Sequence, residues 1–110
     1  MAASTAATLG LALTREGKAV EGEPYLREAL AIRQKVLPPG DVMIPSTASS
    51  LGECLTAQKR YTEAEPLLIE SYNELKAKVG EENKRTVETR QRLAKLYESW
   101  EKPDLAARYR

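Results

Sequence analysis

The feature that most constrains this chain is self-similarity at an offset of 42 residues. The stretch STAATLGLALT (residues 4–14) returns as STASSLGECLT (46–56), with seven of eleven positions identical. KAVEGEPYLREAL (18–30) aligns at the same offset with RYTEAEPLLIESY (60–72), sharing Glu21/Glu63, Glu23/Glu65, Pro24/Pro66, Leu26/Leu68 and Glu28/Glu70. A third copy opens with ETRQRLAKLYE (88–98) and continues into KPDLAARYR (102–110). A fixed period without insertions marks a repeat array, in which no unit can bury its apolar face alone and each must stack on its neighbour. The chain therefore reads as one domain, 1–110: repeat 1 at about 1–42, repeat 2 at about 43–84, and a partial repeat 3 at about 85–110.

Each unit reads as two helices. Leu51, Cys54 and Leu55, like Leu93, Leu96 and Tyr97, recur at spacings of three and four, which places them on one helical stripe. Gly10, Gly52 and Ala94 keep that stripe narrow enough for a partner helix to come close. In TEAE (62–65), Thr62 and Glu65 form a capping-box pattern, and Asp104 stands at the place of Thr62 in the third copy. Pro24 and Pro66 would then fall in a first turn, where a missing N–H does least harm. Leu67, Leu68, Tyr72, Leu75 and Val79 carry an apolar face to Gly80, a natural stop, and Glu74 and Lys78 are ordered for an i,i+4 pair. Asp41 and Asn83 occupy one repeat position and can each cap the helix that follows. No stretch alternates as a strand does, so the fold class is all-α, five full helices and the start of a sixth.

Composition narrows the chemistry. Hydrophobic residues at 42% and charged residues at 30% suit a folded domain, and a net charge of +1 supplies no field for DNA or an anionic membrane. The absence of histidine removes Ser–His and Cys–His nucleophile pairs. One cysteine allows neither an internal disulfide nor a cysteine zinc site, and no glycine-rich phosphate loop occurs. Glu63, Glu65 and Glu70 fall at repeat positions and read as first-turn and surface residues rather than an acid/base pair. No cofactor, metal or catalytic role is expected. The N-terminal segment lacks a basic region and already belongs to the repeat, so it reads as structure rather than a leader. No apolar run reaches a membrane span, and the expected location is the cytoplasm.

Leu51-Gly52, Leu55, Ala64 and Leu68, with RYTEAEPLL (60–68), resemble the tetratricopeptide repeat across essentially the whole chain. The period of 42 resembles the long-helix variety found in kinesin light chains, and residues 64–110 resemble the repeat tails of some bacterial serine/threonine kinases. The resemblance implies a right-handed helix-turn-helix solenoid whose first helices line a concave face that holds a partner peptide. By repeat position that face would present Ser4, Ala7, Leu11 and Thr14, then Ser46, Ser49, Glu53 and Thr56, then Glu88, Gln91, Lys95 and Glu98. Two departures are expected to loosen the first unit: Gly22 in place of the alanine kept at Ala64 and Ala106, and the linker LPPGDVMIP (37–45).

Three further residues or stretches carry expectations. Cys54 matches Ala12 and Leu96 and is expected to be a small buried hydrophobe. Tyr97 matches Leu13 and Leu55 and should pack, whereas Trp100 matches Glu16 and Gln58 and should be partly exposed. From Lys84 to Arg110 eight Lys or Arg face four Asp or Glu; Arg85, Arg92 and Lys95 there are read as a solvated helix face rather than a nucleic-acid surface. Open solenoid ends expose apolar stripes. That favours a piece of a longer protein or a small module joining copies end to end. The functional reading is a non-catalytic scaffold for a protein or peptide partner; the alternative is a regulatory tail or self-association module of a larger enzyme such as a kinase.

Overall fold

A computed structural model describes residues 1–110 as six α-helices and no strand: α1 Ala3–Arg15, α2 Ala19–Val36, α3 Met43–Ala57, α4 Tyr61–Val79, α5 Lys84–Ser99 and α6 Pro103–Arg108. They pair in order as α1/α2, α3/α4 and α5/α6. All three turns within the pairs are closed the same way. The N–H of Lys18, Arg60 and Lys102 donates to the carbonyl of Leu13, Leu55 and Tyr97, at 2.8, 2.9 and 2.8 Å. One residue earlier, Gly17, Lys59 and Glu101 donate to Thr14, Thr56 and Glu98 at 3.2, 2.9 and 3.2 Å. These crossed bonds satisfy the last carbonyls of the first helix and require a left-handed residue at the turn. Gly17 takes it with φ 82°, but Lys59 and Glu101 hold φ 62° and 60° with side chains attached.

This turn corrects the expected helix starts. Backbone bonding begins α4 at Tyr61 and α6 at Pro103, with Arg60 and Lys102 preceding them, so Thr62 and Asp104 lie inside their helices and neither caps. Pro24 and Pro66 accordingly sit two residues deeper than expected, in the second turn. The carbonyls they leave without partners belong to exposed Val20 and Thr62, where water can serve them. Between units the capping expectation holds for Asn83, the N-cap of α5, whereas Asp41 stands one residue before the N-cap of α3, Val42. The Asn83 side chain accepts from the Arg85 N–H at 2.9 Å, and the Asp41 carboxylate accepts from the Met43 N–H at 2.8 Å. Gly80 ends α4 at φ 90°. Glu74 and Lys78 do not pair; Lys76 reaches Glu81 instead, at 3.0 Å. Val79, expected on the apolar face, is 39% exposed.

The core is one continuous cluster running through all three pairs, centred on Leu26, Leu51, Leu55, Leu68, Leu93, Leu96 and Tyr97. Cys54 is fully buried in it, its thiol 3.1 Å from the Ala19 carbonyl. Small residues set the approach of paired helices. A Cβ placed on Gly22 would stand 2.5 Å from the Gly10 carbonyl oxygen, so Gly22 permits a closer helix contact than alanine allows and tightens the first unit. Beyond Tyr97, Trp100 and Tyr109 close the last pair: Trp100 stacks on Tyr61 and Tyr97 at 5.6 and 6.4 Å between centroids and stays half-buried. Burial, and the hydrogen bond that the Tyr97 hydroxyl donates to Glu65 at 2.7 Å, push the Tyr97 phenol well above the ordinary tyrosine range.

Curvature follows from which helices touch. The backbone of α3 lies close to both α1 and α5, whereas the backbones of α2, α4 and α6 stay apart and are bridged by side chains such as Arg27 to Glu63 at 3.9 Å and Tyr72 against Tyr109. Three first helices held side by side with the second helices splayed apart make the α1/α3/α5 layer the inner, concave face.

Candidate functional site

Two depressions lie on that inner face. The larger, about 600 Å³, is bounded by Thr14 and Arg15 of α1, Glu53, Thr56 and Ala57 of α3, Lys59 and Tyr61 at the turn, and Glu88, Gln91, Arg92, Lys95 and Ser99 of α5. Its floor is an ion triad. Arg15 Nε donates to Glu53 Oε2 at 3.0 Å, and Arg92 Nε donates to Glu53 Oε1 at 2.8 Å. Burial pushes the Glu53 carboxyl upward, but the hydrogen bonds and charges of Arg15 and Arg92 outweigh it and hold the group below the ordinary glutamate value. One carboxylate thus ties α1, α3 and α5 together, and the two arginines leave the triad with a surplus positive charge. Lys59 is carried to the rim by its left-handed turn, and Lys95 by the exposed edge of α5.

The smaller recess, about 290 Å³, lies nearer the start of α5 and is lined by Ser4, Ala7, Thr8 and Leu11 of α1, Arg33 of α2, Met43, Ser46, Thr47 and Ser50 of α3, and Arg85 of α5. Arg33 donates to Thr47 Oγ1 at 2.7 Å and to Ser4 Oγ at 3.2 Å; Arg85 donates to Ser46 Oγ at 2.9 Å. Neither guanidinium has a carboxylate within 4.0 Å.

The residues expected on the concave face from repeat position distribute unevenly. Glu53, Thr56, Glu88, Gln91 and Lys95, with Thr14, border the larger cleft, and Ser46, with Ser4, Ala7 and Leu11, borders the smaller. Thr56 is buried and donates to the Gly52 carbonyl at 2.8 Å. Ser49 has no exposed surface: its hydroxyl meets Thr89 Oγ1 and accepts from Arg92, both at 2.7 Å, so it glues α3 to α5 instead of facing a partner. Glu98 points away from both depressions, 4.0 Å from Arg110. The reading of Arg92 as a solvated residue is corrected as well, because only 10% of its side chain meets solvent. Repeat position alone could not find Arg15, Arg33 and Lys59. Their counterparts (Ala57 and Ser99, Leu75, Gly17 and Glu101) carry other chemistry, and only the length of a guanidinium or the turn geometry brings them inward.

The arrangement is built chiefly of guanidinium, ammonium, carboxylate and hydroxyl groups. No group of three or more metal-ligating side chains is gathered anywhere in the chain, and no helix is long and apolar enough to cross a membrane. What it offers is a curved surface rich in hydrogen-bond donors and positive charge. Two tetratricopeptide repeat models match the sequence, one over residues 43–109, more than half of the chain, and the other over residues 2–41. No curated protein matches it.

Proposed function

The chain belongs to the tetratricopeptide repeat family, whose repeats mediate protein–protein interaction, and on that premise we propose that its inner face binds an extended acidic segment of a partner protein. One observation carries the reading. The two depressions are lined by six cations, Arg15, Arg33, Lys59, Arg85, Arg92 and Lys95, against two carboxylates, Glu53 and Glu88. This bias is concentrated on one face of a chain whose total charge is only +1. Clustering of one sign in a groove steers and selects an oppositely charged segment. Apart from Ala57 and Tyr61, the residues lining the large cleft carry polar or charged groups, which suits a peptide held by charges and hydrogen bonds.

The role is that of a non-catalytic scaffold. Second helices of 18 and 19 residues, with the 42-residue period, support the long, kinesin-light-chain-like variety of the repeat. The same face would serve a free-standing cytoplasmic adaptor or a regulatory tail on a larger enzyme, since the binding step is identical in both.

Fluorescence anisotropy against paired twelve-residue acidic and basic peptide libraries tests the reading. Acidic peptides bind, the affinity falls with added salt, and the double change Lys59→Glu, Lys95→Glu weakens it by about tenfold or more. Equal binding of acidic and basic libraries, or indifference to the charge reversal, rules the assignment out.

A further inference from the structure

Arg33 is the anomaly of the inner face. It is 9% exposed, and a buried charge ordinarily has a counter-charge, yet its hydrogen bonds go only to the neutral hydroxyls of Thr47 and Ser4. Arginine does not escape the cost by losing its proton. Arg85, on the opposite wall of the same recess, is likewise bonded only to a hydroxyl, that of Ser46. Two guanidiniums therefore converge on a recess of about 290 Å³ that contains no carboxylate.

We propose that this recess is a binding site for a phosphoryl dianion, carried on a phosphoserine or phosphothreonine of the bound partner segment. Two unpaired positive charges match a charge approaching −2, and a phosphoryl group has three acceptor oxygens. The donors are set out to meet them. Arg33 and Arg85 retain unused N–H groups. Ser4 and Ser46 each accept from an arginine, which leaves their own O–H protons free to donate into the recess. A single carboxylate, with one charge, would neutralise only half of the site. The recess has no aromatic ring on which a base could stack, which favours a phosphorylated peptide over a polynucleotide. The peptide source rests on the reading of the inner face given above; the anion site itself does not.

The test uses the full chain with isotope-labelled arginine side chains, titrated first with inorganic phosphate and then with matched peptide libraries fixed at a central serine or phosphoserine. Inorganic phosphate shifts the Arg33 and Arg85 side-chain resonances. Arg85→Gln, which removes a half-buried group with one hydrogen bond, abolishes the effect while helicity is retained; Arg33→Lys weakens it. Lys59→Glu, Lys95→Glu leaves phosphate binding intact even where it abolishes peptide binding, so failure of the groove reading is distinguishable from failure of the recess. Phosphoserine peptides bind at least about tenfold tighter than their serine counterparts. Unmoved arginine resonances together with equal affinities for the two libraries overturn the proposal. A phosphate response with no gain from the phosphopeptide, or with tighter binding of a single-stranded oligonucleotide, overturns the assigned source.

Discussion

Arg92 donates to Glu53 across the α3–α5 interface at 2.8 Å, with 10% and 23% of the two side chains exposed, and this pair anchors the inner face. Arg15 reaches the same carboxylate from α1, so the curvature of three stacked units is braced through one glutamate. Arg92→Ala is expected to cost about 1.5–3 kcal/mol, the usual range for a hydrogen bond to a charged group, measured by urea unfolding.

The pH dependence of stability follows from the same carboxylate. Because the folded-state value of Glu53 lies below the ordinary 4.5, its stabilisation is fully present above that value and is lost as pH falls through the lower folded one. The thermal midpoint of the wild type should decline steeply below about pH 4.5, and that of Glu53→Gln less steeply. Some decline remains in the variant because Glu23 is also depressed: burial opposes it, but hydrogen bonds from Gln58 and Arg27 and the charge of Arg60 prevail. Parallel pH profiles for the two proteins would remove Glu53 from this role.

Gly22 and Gly52 separate two kinds of close contact. The added methyl of Gly22→Ala meets backbone, the Gly10 carbonyl, at 2.5 Å, whereas that of Gly52→Ala meets the Leu68 side chain at 2.6 Å. Side chains shift more cheaply than helices. Gly22→Ala should destabilise by about 1–3 kcal/mol and by more than Gly52→Ala, compared by denaturant midpoints.

Glu101 holds a left-handed conformation, φ 60°, at a position where the first unit has Gly17. Glu101→Gly should stabilise the chain by about 1 kcal/mol through relief of that strain, and Gly17→Ala should destabilise it by a similar amount although nothing lies within 4 Å of the new methyl. Thermal unfolding of both variants reads the difference, and no change in either would exclude strain at the turn.

Cys54 is sealed in the core by α2 and α3, so a thiol reagent should leave the native chain untouched and modify one cysteine per chain only when denaturant opens it. Rapid modification of the native protein would show that the first two units separate readily.

The sequence by itself determined the architecture. A 42-residue period, apolar stripes at helical spacing, and small residues at 10, 52 and 94 require helix pairs that stack, because each pair has an apolar face only its neighbour can cover. Local chemistry also placed the Asn83 cap, the Asp41 turn before α3 and the Gly80 stop, where a side chain or a glycine acts on backbone within a few residues. The turns inside each pair were hidden because only the first copy spells its left-handed position as glycine; in Lys59 and Glu101 the packed helices on either side impose the conformation against local preference. The inner face depended most on tertiary structure. Arg15 and Arg92 meet Glu53 from 38 and 39 residues away, and Arg33 reaches Ser4 from 29. Repeat position specifies where a Cα lies, but a guanidinium several bonds farther out goes wherever stacking brings an acceptor within reach, and that is decided only when the units pack.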